Sequence, residues 1–267
     1  LRAGWVALLC AGVLLAGVLA GAALERRGVW TALTQGGAQR AAFQSTLVED
    51  AVRLALGKDE NEPIYASELA AVNSLHICGD RAYDGSQELL LDFLPGFQNV
   101  QLFLGSYGGE GEAVVHGDID TLADIAQLTR LTSLDVIMQR VTDLAPLAGL
   151  PLKHLNVAGN GITDLSPLET FADLDSLAID GNPVSDIGPV ASLTRLKVFS
   201  ASDTYVEDLT PLAECLGLQY LYINSARVRD VTPLAGLELY DCFLKNNEIR
   251  DFSPLTNVSN LETYGNP

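Results

Sequence analysis

The sequence predicts an α/β-type solenoid, with a parallel β-sheet on one face and 3₁₀ or extended return segments on the other. Three observations predict it. A phrase, Asp143-Leu144-Ala145-Pro146-Leu147, returns at Asp164, Asp186, Asp208, Asp230 and Asp251, at intervals of 21, 22, 22, 22 and 21 residues. Self-similarity at a fixed short period marks a stack of like units. Apolar residues hold fixed offsets from the phrase, in the pattern Leu-x-x-Leu-x-Leu, a polar residue, then Ile or Val. Finally, Pro stands inside the phrase, and Pro suits only the first turn of a helix, so a 3₁₀ turn or extended return is favoured over a full crossover helix.

The elements follow in chain order. Ala3 to Leu24 is 22 residues without a charge, bounded by Glu25, Arg26 and Arg27. About 20 apolar residues span the hydrocarbon core as a helix, so residues 1–27 are expected to be a transmembrane anchor. Ala20-Gly21-Ala22 resembles a cleavage site, and a signal segment is the alternative. The chain begins at Leu1 instead of Met, so residues upstream are expected. Residues 28–42 read as a juxtamembrane linker. Residues 43–74 read as helical: Phe43, Leu47, Val52, Leu54 and Leu56, with Ala51 and Ala55, form one apolar face that Gly57 terminates. A turn at Pro63 leads to a second short helix. Residues 75–120 read as irregular first repeats, opening on a strand at Leu75-His76-Ile77-Cys78-Gly79. They contain a Gly-rich insertion, Gly105 to Glu112, that lacks any phosphate-loop spacing.

Residues 121–267 read as seven repeats, the first a weak copy with Asp124 where Pro would stand and the last incomplete, stopping before its bend. Leu-x-Leu alternation makes a short strand with one face buried. Leu134, Leu155, Leu177, Phe199, Leu221 and Cys242 are expected to form one buried column. Val141, Ile162, Val184, Val206, Val228 and Ile249 should form another. Asn160, Asn182 and Asn247 fill the polar position, where an amide both donates to and accepts from the bend. Gln139 replaces Asn once. Thr204 and Ala226 also replace it, and those two bends are expected to be less well tied. Each repeating Asp precedes a Pro-led turn, where its carboxylate suits capping of backbone N–H groups. Terminal repeats need a cap, so the repeat from Asp251 is expected to fray and more chain is expected beyond Pro267.

These repeats resemble the leucine-rich repeats of internalin-like bacterial surface proteins, whose unit carries the same Asp-Leu-x-Pro-Leu phrase. The resemblance covers Thr121 to Pro267 well and Leu75 to Ile119 loosely. The helix at 43–56 also looks like the helical cap that precedes such arrays. The resemblance implies a non-catalytic recognition domain that binds a protein or surface ligand through its concave sheet face, tethered to the membrane through residues 3–24. The repeats would then be extracytoplasmic, or secreted after signal cleavage, whereas Arg26 and Arg27 after the span against Arg2 before it, read alone, place the C-terminal side in the cytoplasm. A single span, a cap and repeats also resemble the sensor half of bacterial membrane-bound Ser/Thr kinases, whose catalytic domain would lie upstream of residue 1.

Charge narrows the partners. The chain carries 34 acids and 16 bases, a net −18. Without Glu25, Arg2, Arg26 and Arg27, 33 acids face 13 bases. A phosphate backbone recruits Lys and Arg, so nucleic acid is not expected. No hydrolase, zinc-protease or kinase motif is present. Neither Asp80, Asp84 and Glu88 nor Asp118, Asp120 and Asp124 matches a calcium loop, so no metal or cofactor is expected. His76, His116 and His154 read as solvent-facing, and Cys78, Cys215 and Cys242 as buried hydrophobes.

Strand residues between buried ones point the other way. Three rows are therefore expected on the open sheet face. The first is Ser133, His154, Ser176, Val198, Tyr220 and Asp241. The second is Asp135, Asn156, Ala178, Ser200, Tyr222 and Phe243, and the third is Ile137, Ala158, Asp180, Ser202, Asn224 and Lys245. The candidate ligand-binding residues are Tyr220, Tyr222 and Phe243, flanked by Asp241, Lys245 and Asn224. Tyr suits such a role because it buries a large area and keeps a polar tip.

Overall fold

The computed structural model describes residues 34–35, 38–83 and 115–267. The apolar run at 3–24 and the Gly-rich insertion lie outside the described residues, and among the described residues no helix is long and apolar enough to cross a membrane. Two dipeptide strands, β1 (Thr34–Gln35) and β2 (Ala38–Gln39), pair antiparallel.

One helix follows, α1 (Thr46–Ala55), capped by Ser45, whose hydroxyl accepts the Val48 N–H at 3.3 Å. It buries Val48, Ala51 and Val52. Leu54, expected on the apolar face, is 42% exposed, because the face that meets the sheet is centred on Val48 and Val52 instead. Gly57 ends the helix at φ 65°, a left-handed conformation that Gly adopts without penalty. The second helical piece is 3₁₀, Ala66–Ala71.

A nine-stranded sheet then dominates. Its strands are β3 (Ser74–Cys78), β4 (Arg81–Ala82), β5 (Ser133–Ile137), β6 (His154–Asn156), β7 (Ser176–Ala178), β8 (Val198–Ser200), β9 (Tyr220–Tyr222), β10 (Leu239–Phe243) and β11 (Val258–Glu262). From β3 through β5 to β11 all pairings are parallel, while β4 folds back antiparallel on β3. Leu75 pairs with Leu134, and the column runs on through Leu155, Leu177, Phe199, Leu221 and Cys242 to Leu261. From Leu75 to Cys242 every member is at most 1% exposed, and the Val141-to-Ile249 column is equally buried. The return segments are 3₁₀ turns with Pro at their first or second position: Ala145–Leu147, Ser166–Thr170, Gly188–Ser192, Thr210–Glu214 and Thr232–Leu234.

Each repeating Asp caps its turn. Asp143, Asp164, Asp186, Asp208, Asp230 and Asp251 accept the backbone N–H two residues on, at 2.7–2.8 Å. Asp124 in the weak copy does something else. It is buried, and one of its oxygens accepts the N–H groups of Gln44 and Ser45 at 2.7 and 2.8 Å, tying the start of α1 to the first repeat.

The bends are tied by amides. Asn160 accepts from Val141 N–H and donates to Val136 and Val157 carbonyls; Asn182 accepts from Ile162 and donates to Val157 and Ile179. Asn247 accepts from Val228 and donates to Ile223. Gln139 plays the part with its longer arm, accepting from Ile119 and donating to Ile137. Asn266 continues the column, bonding Ile249, Leu244 and Thr263. The bend after β11 is therefore formed, not missing, since Tyr264-Gly265-Asn266 matches Asp180-Gly181-Asn182. Thr204 only donates to Ala201 O, and Ala226 has no polar atom, so neither side chain accepts a neighbouring N–H.

A left-handed residue precedes every member of the bend column: Met138, Gly159, Gly181, Asp203, Ser225, Asn246 and Gly265, with φ between 53° and 81°. Gly adopts this freely, whereas an L side chain is strained by about 1–2 kcal/mol.

Candidate functional site

The open face of the sheet differs from the one read off alternation. The first row, Ser133 to Asp241, is half-buried, as are Ala178, Phe243 and Lys245. Asp135, Asn156, Ser200 and Tyr222 in the second row are buried, and so are Ile137, Ala158, Asp180, Ser202 and Asn224 in the third. Parallel strands lie about 4.8 Å apart, so a large side chain of one repeat roofs its neighbour. Alternation gives the face a residue points to, and cross-strand neighbours decide whether it is covered.

Tyr222 is a case in point. It is 2% exposed, its ring meets Phe243 edge-on at 5.2 Å, and its hydroxyl donates to Asp241 at 3.1 Å. The other Asp241 oxygen accepts from Asn260 at 3.0 Å. Lys245 contacts Glu262 at 2.6 Å and lies 5.2 Å from both the Phe243 and Tyr264 ring centres. Tyr220 leans away from this group, 5.7 Å from Tyr240. The six sequence-picked residues thus fall within one corner on and after β9 and β10, but Tyr222 and Asn224 are not surface groups.

Asn224 belongs to a second polar column. Asp180 accepts Ser202 N–H at 2.8 Å and the Ser200 hydroxyl at 2.7 Å; Ser202 Oγ accepts Asn224 N–H at 3.1 Å; Asn224 Oδ1 accepts Lys245 N–H at 3.0 Å. Burial pushes the Asp180 carboxyl up to about 6, against the opposing pull of those donors.

At the other end of the face, a group not found by motif reading stands out. His76 Nδ1 and His154 Nε2 lie 2.7 and 2.8 Å from the two oxygens of Asp135, and the Tyr83 hydroxyl donates to it at 2.8 Å. Both ring nitrogens must carry a proton to bond a carboxylate. Burial pushes Asp135 up, but the hydrogen bonds from His154 and His76 outweigh it and hold the carboxyl below the ordinary carboxylate range. The histidine side chains are only 15% and 23% exposed, which corrects the solvent-facing reading: they hold a buried charge. The signal was available, because aligning Leu75 with Leu134 places His76 directly across from Asp135. Beside them Cys78, Ile137, Met138 and Ala158 form a small apolar cluster separate from the main core, with Tyr83 packed against it.

The described cysteines, Cys78, Cys215 and Cys242, are free and buried. Burial raises Cys78 and Cys242 to about 12 and Cys215 to about 11. Among the described residues no group of three or more His, Cys, Asp or Glu is arranged to hold a metal ion.

A parallel sheet built from short repeats, Pro-led return turns and an amide column through the bends defines a leucine-rich repeat solenoid. No protein-family model matches the chain, and a search of curated proteins finds no match. Solved structures do match. An internalin from Listeria monocytogenes is 27% identical with a TM-score of 0.66, over 84% of this chain and 57% of that one. Internalin C2 from the same organism is 25% identical with a TM-score of 0.57, over 83% of this chain and 94% of that one. A plant peptide hormone receptor, solved in complex with RGF2, shares the fold at 14% identity and a TM-score of 0.50, over 57% of this chain and 27% of that one. The chain is an internalin-like leucine-rich repeat protein.

Proposed function

We infer that this chain is a non-catalytic recognition protein whose concave sheet face binds a protein ligand, with residues 3–24 holding it in the membrane and the repeats outside the cytoplasm. The observation that carries the reading is the relief of that face. A floor of small side chains, Ser176, Ala178, Val198 and Ser200, lies between the His76–Asp135–His154 group and the Tyr222–Phe243–Lys245–Tyr264 group. Both groups are bonded internally, so a partner meets a preorganised surface and little ordering entropy is lost on contact. The likeness to internalins supports a recognition role in place of catalysis. Membrane tethering rests on the uncharged run from Ala3 to Leu24 alone.

A photo-crosslinking residue placed at Ser176 or Phe243, on the open face, tests the reading against one placed at Asp164 or Arg229 on the return side. The expected result is one partner band from the native host with the first pair and none with the second. Equal crosslinking from both sides would remove the concave face as the contact. Deleting residues 1–27 should move the protein from the membrane pellet to the soluble fraction.

A further inference from the structure

Two of the exposed tyrosines among the described residues have company of one kind. Three are exposed among the described residues: Tyr205, Tyr240 and Tyr264. Arg227 stacks over Tyr205 at 4.5 Å, with Glu207 3.9 Å from its guanidinium. Lys245 sits 5.2 Å from Tyr264 and from Phe243, with Glu262 at 2.6 Å. The half-buried Tyr65 repeats the arrangement with Lys58 at 5.6 Å and Glu68 at 2.9 Å from the ammonium. In each case a ring face, a carboxylate and a cation meet, as the ring quadrupole and the carboxylate charge both require.

Tyr240 is the exception. It is 60% exposed and leans on Tyr220, centroids 5.7 Å apart and planes at 53°. Glu238, two residues earlier and also exposed, supplies the carboxylate. The three line an open cavity of about 660 Å³ on the flank of β9, β10 and β11, whose described lining contains no Lys or Arg. Two rings and a carboxylate line it, and none of its described lining residues is a cation.

We propose that this flank cavity receives the guanidinium of an arginine side chain presented by the partner protein. The proposal rests on the recognition reading above and adds to it a subsite beside the open face. Arginine fits better than lysine for two reasons. A planar guanidinium stacks on tyrosine while its N–H fork meets a carboxylate, and it gives up hydration more readily than an ammonium. Arg227 over Tyr205 is the same pairing within one chain. The excess of carboxylates, net −18, favours approach of a basic partner.

The test uses N-acetyl-arginine amide as probe and the ring resonances of ¹³C-labelled tyrosine as readout. Saturable shifts largest at Tyr220 and Tyr240 are expected, with a Kd on the order of 1–10 mM for a single stacked ion pair. Tyr205 and Tyr264, each with a cation of this chain already over its ring, should move less. Tyr240→Ala and Glu238→Gln should each weaken the probe by about fivefold. Both side chains are exposed, and an unchanged amide spectrum elsewhere verifies the fold. N-acetyl-citrulline amide keeps the shape and loses the charge, and should not bind. Equal shifts with citrulline, tighter binding of N-acetyl-lysine amide, equal movement of Tyr205 and Tyr264, or no saturable shift would each overturn the proposal. Because the probe is a single amino acid, its failure removes the subsite while crosslinking at Ser176 and Phe243 still reports on the open face.

Discussion

The bends at Asn160 and Asn182 and those at Thr204 and Ala226 have the same backbone but different fastenings. In the first pair an amide on the return side clamps each turn to the one before it. In the second pair that amide is missing, yet the backbone ladder continues through Tyr205 N–H to Val184 O and Arg227 N–H to Val206 O. The open side carries the compensation. Asp180, Ser202 and Asn224 accept hydrogen bonds from the N–H of the next repeat over the same stretch, where earlier repeats have only Ile137 and Ala158. A turn can be pinned from either side of its strand, and this molecule changes sides midway.

The largest expected effect breaks the first fastening. Asn182→Ala removes four bonds from a residue 1% exposed and should cost about 3 kcal/mol, read from urea unfolding. A loss below 1 kcal/mol would mean the amide column is ornamental.

Asp180 comes next, and its effect depends on pH. Its folded pKa, about 6, is raised above the ordinary 3.8, so its contribution is complete below about pH 3.8 and lost as pH rises through 6. Asn224 already does the same work uncharged, accepting Lys245 N–H. Asp180→Asn should therefore match the parent near pH 3.5 and exceed it by about 3 kcal/mol at pH 8. Asp135 is held the other way, so its contribution is present above its ordinary range and lost on acidification. Only the difference between variant and parent at each pH isolates Asp180.

Ser202→Ala should cost about 1–2 kcal/mol, since Asn224 N–H then points at a methyl group. The smallest effect is a gain. Ser225 holds φ 53°, where Gly159, Gly181 and Gly265 serve other bends. Ser225→Gly should add about 0.5 kcal/mol, relief of strain less the extra freedom of the unfolded chain. Calorimetric Tm values would check both.

The buried columns were legible because alternation has period two and Leu repeats at fixed offsets, which leaves one register for Leu177 and Val184. The 3₁₀ returns were legible because Pro disfavours a longer helix. The open face was less so. Whether Tyr222 or Asn224 meets solvent depends on Phe243, Asp241 and Ser202, residues 19 to 22 positions away. Asp124 looked like a broken copy of a Pro because its partners, Gln44 and Ser45, lie some 80 residues earlier. The left-handed bend residues were half visible: Gly159, Gly181 and Gly265 advertise them, whereas Met138 and Asp203 do not.

The amide column also has a direction in time. Asn160 bonds residues 136, 141 and 157; Asn182 bonds 157, 162 and 179; Asn266 bonds 244, 249 and 263. Every partner precedes its amide in the chain. A protein is made from its N-terminus, and its early parts fold first as they emerge. Each of these clamps can therefore close as soon as its own Asn leaves the ribosome, with no wait for later sequence. Asp180 and Ser202 work in reverse, because the N–H groups they hold belong to residues synthesised 22 positions afterwards. The stretch from 180 to 224 therefore closes only as the following repeats emerge, whereas the bends held by Asn160 and Asn182 close with their own amides.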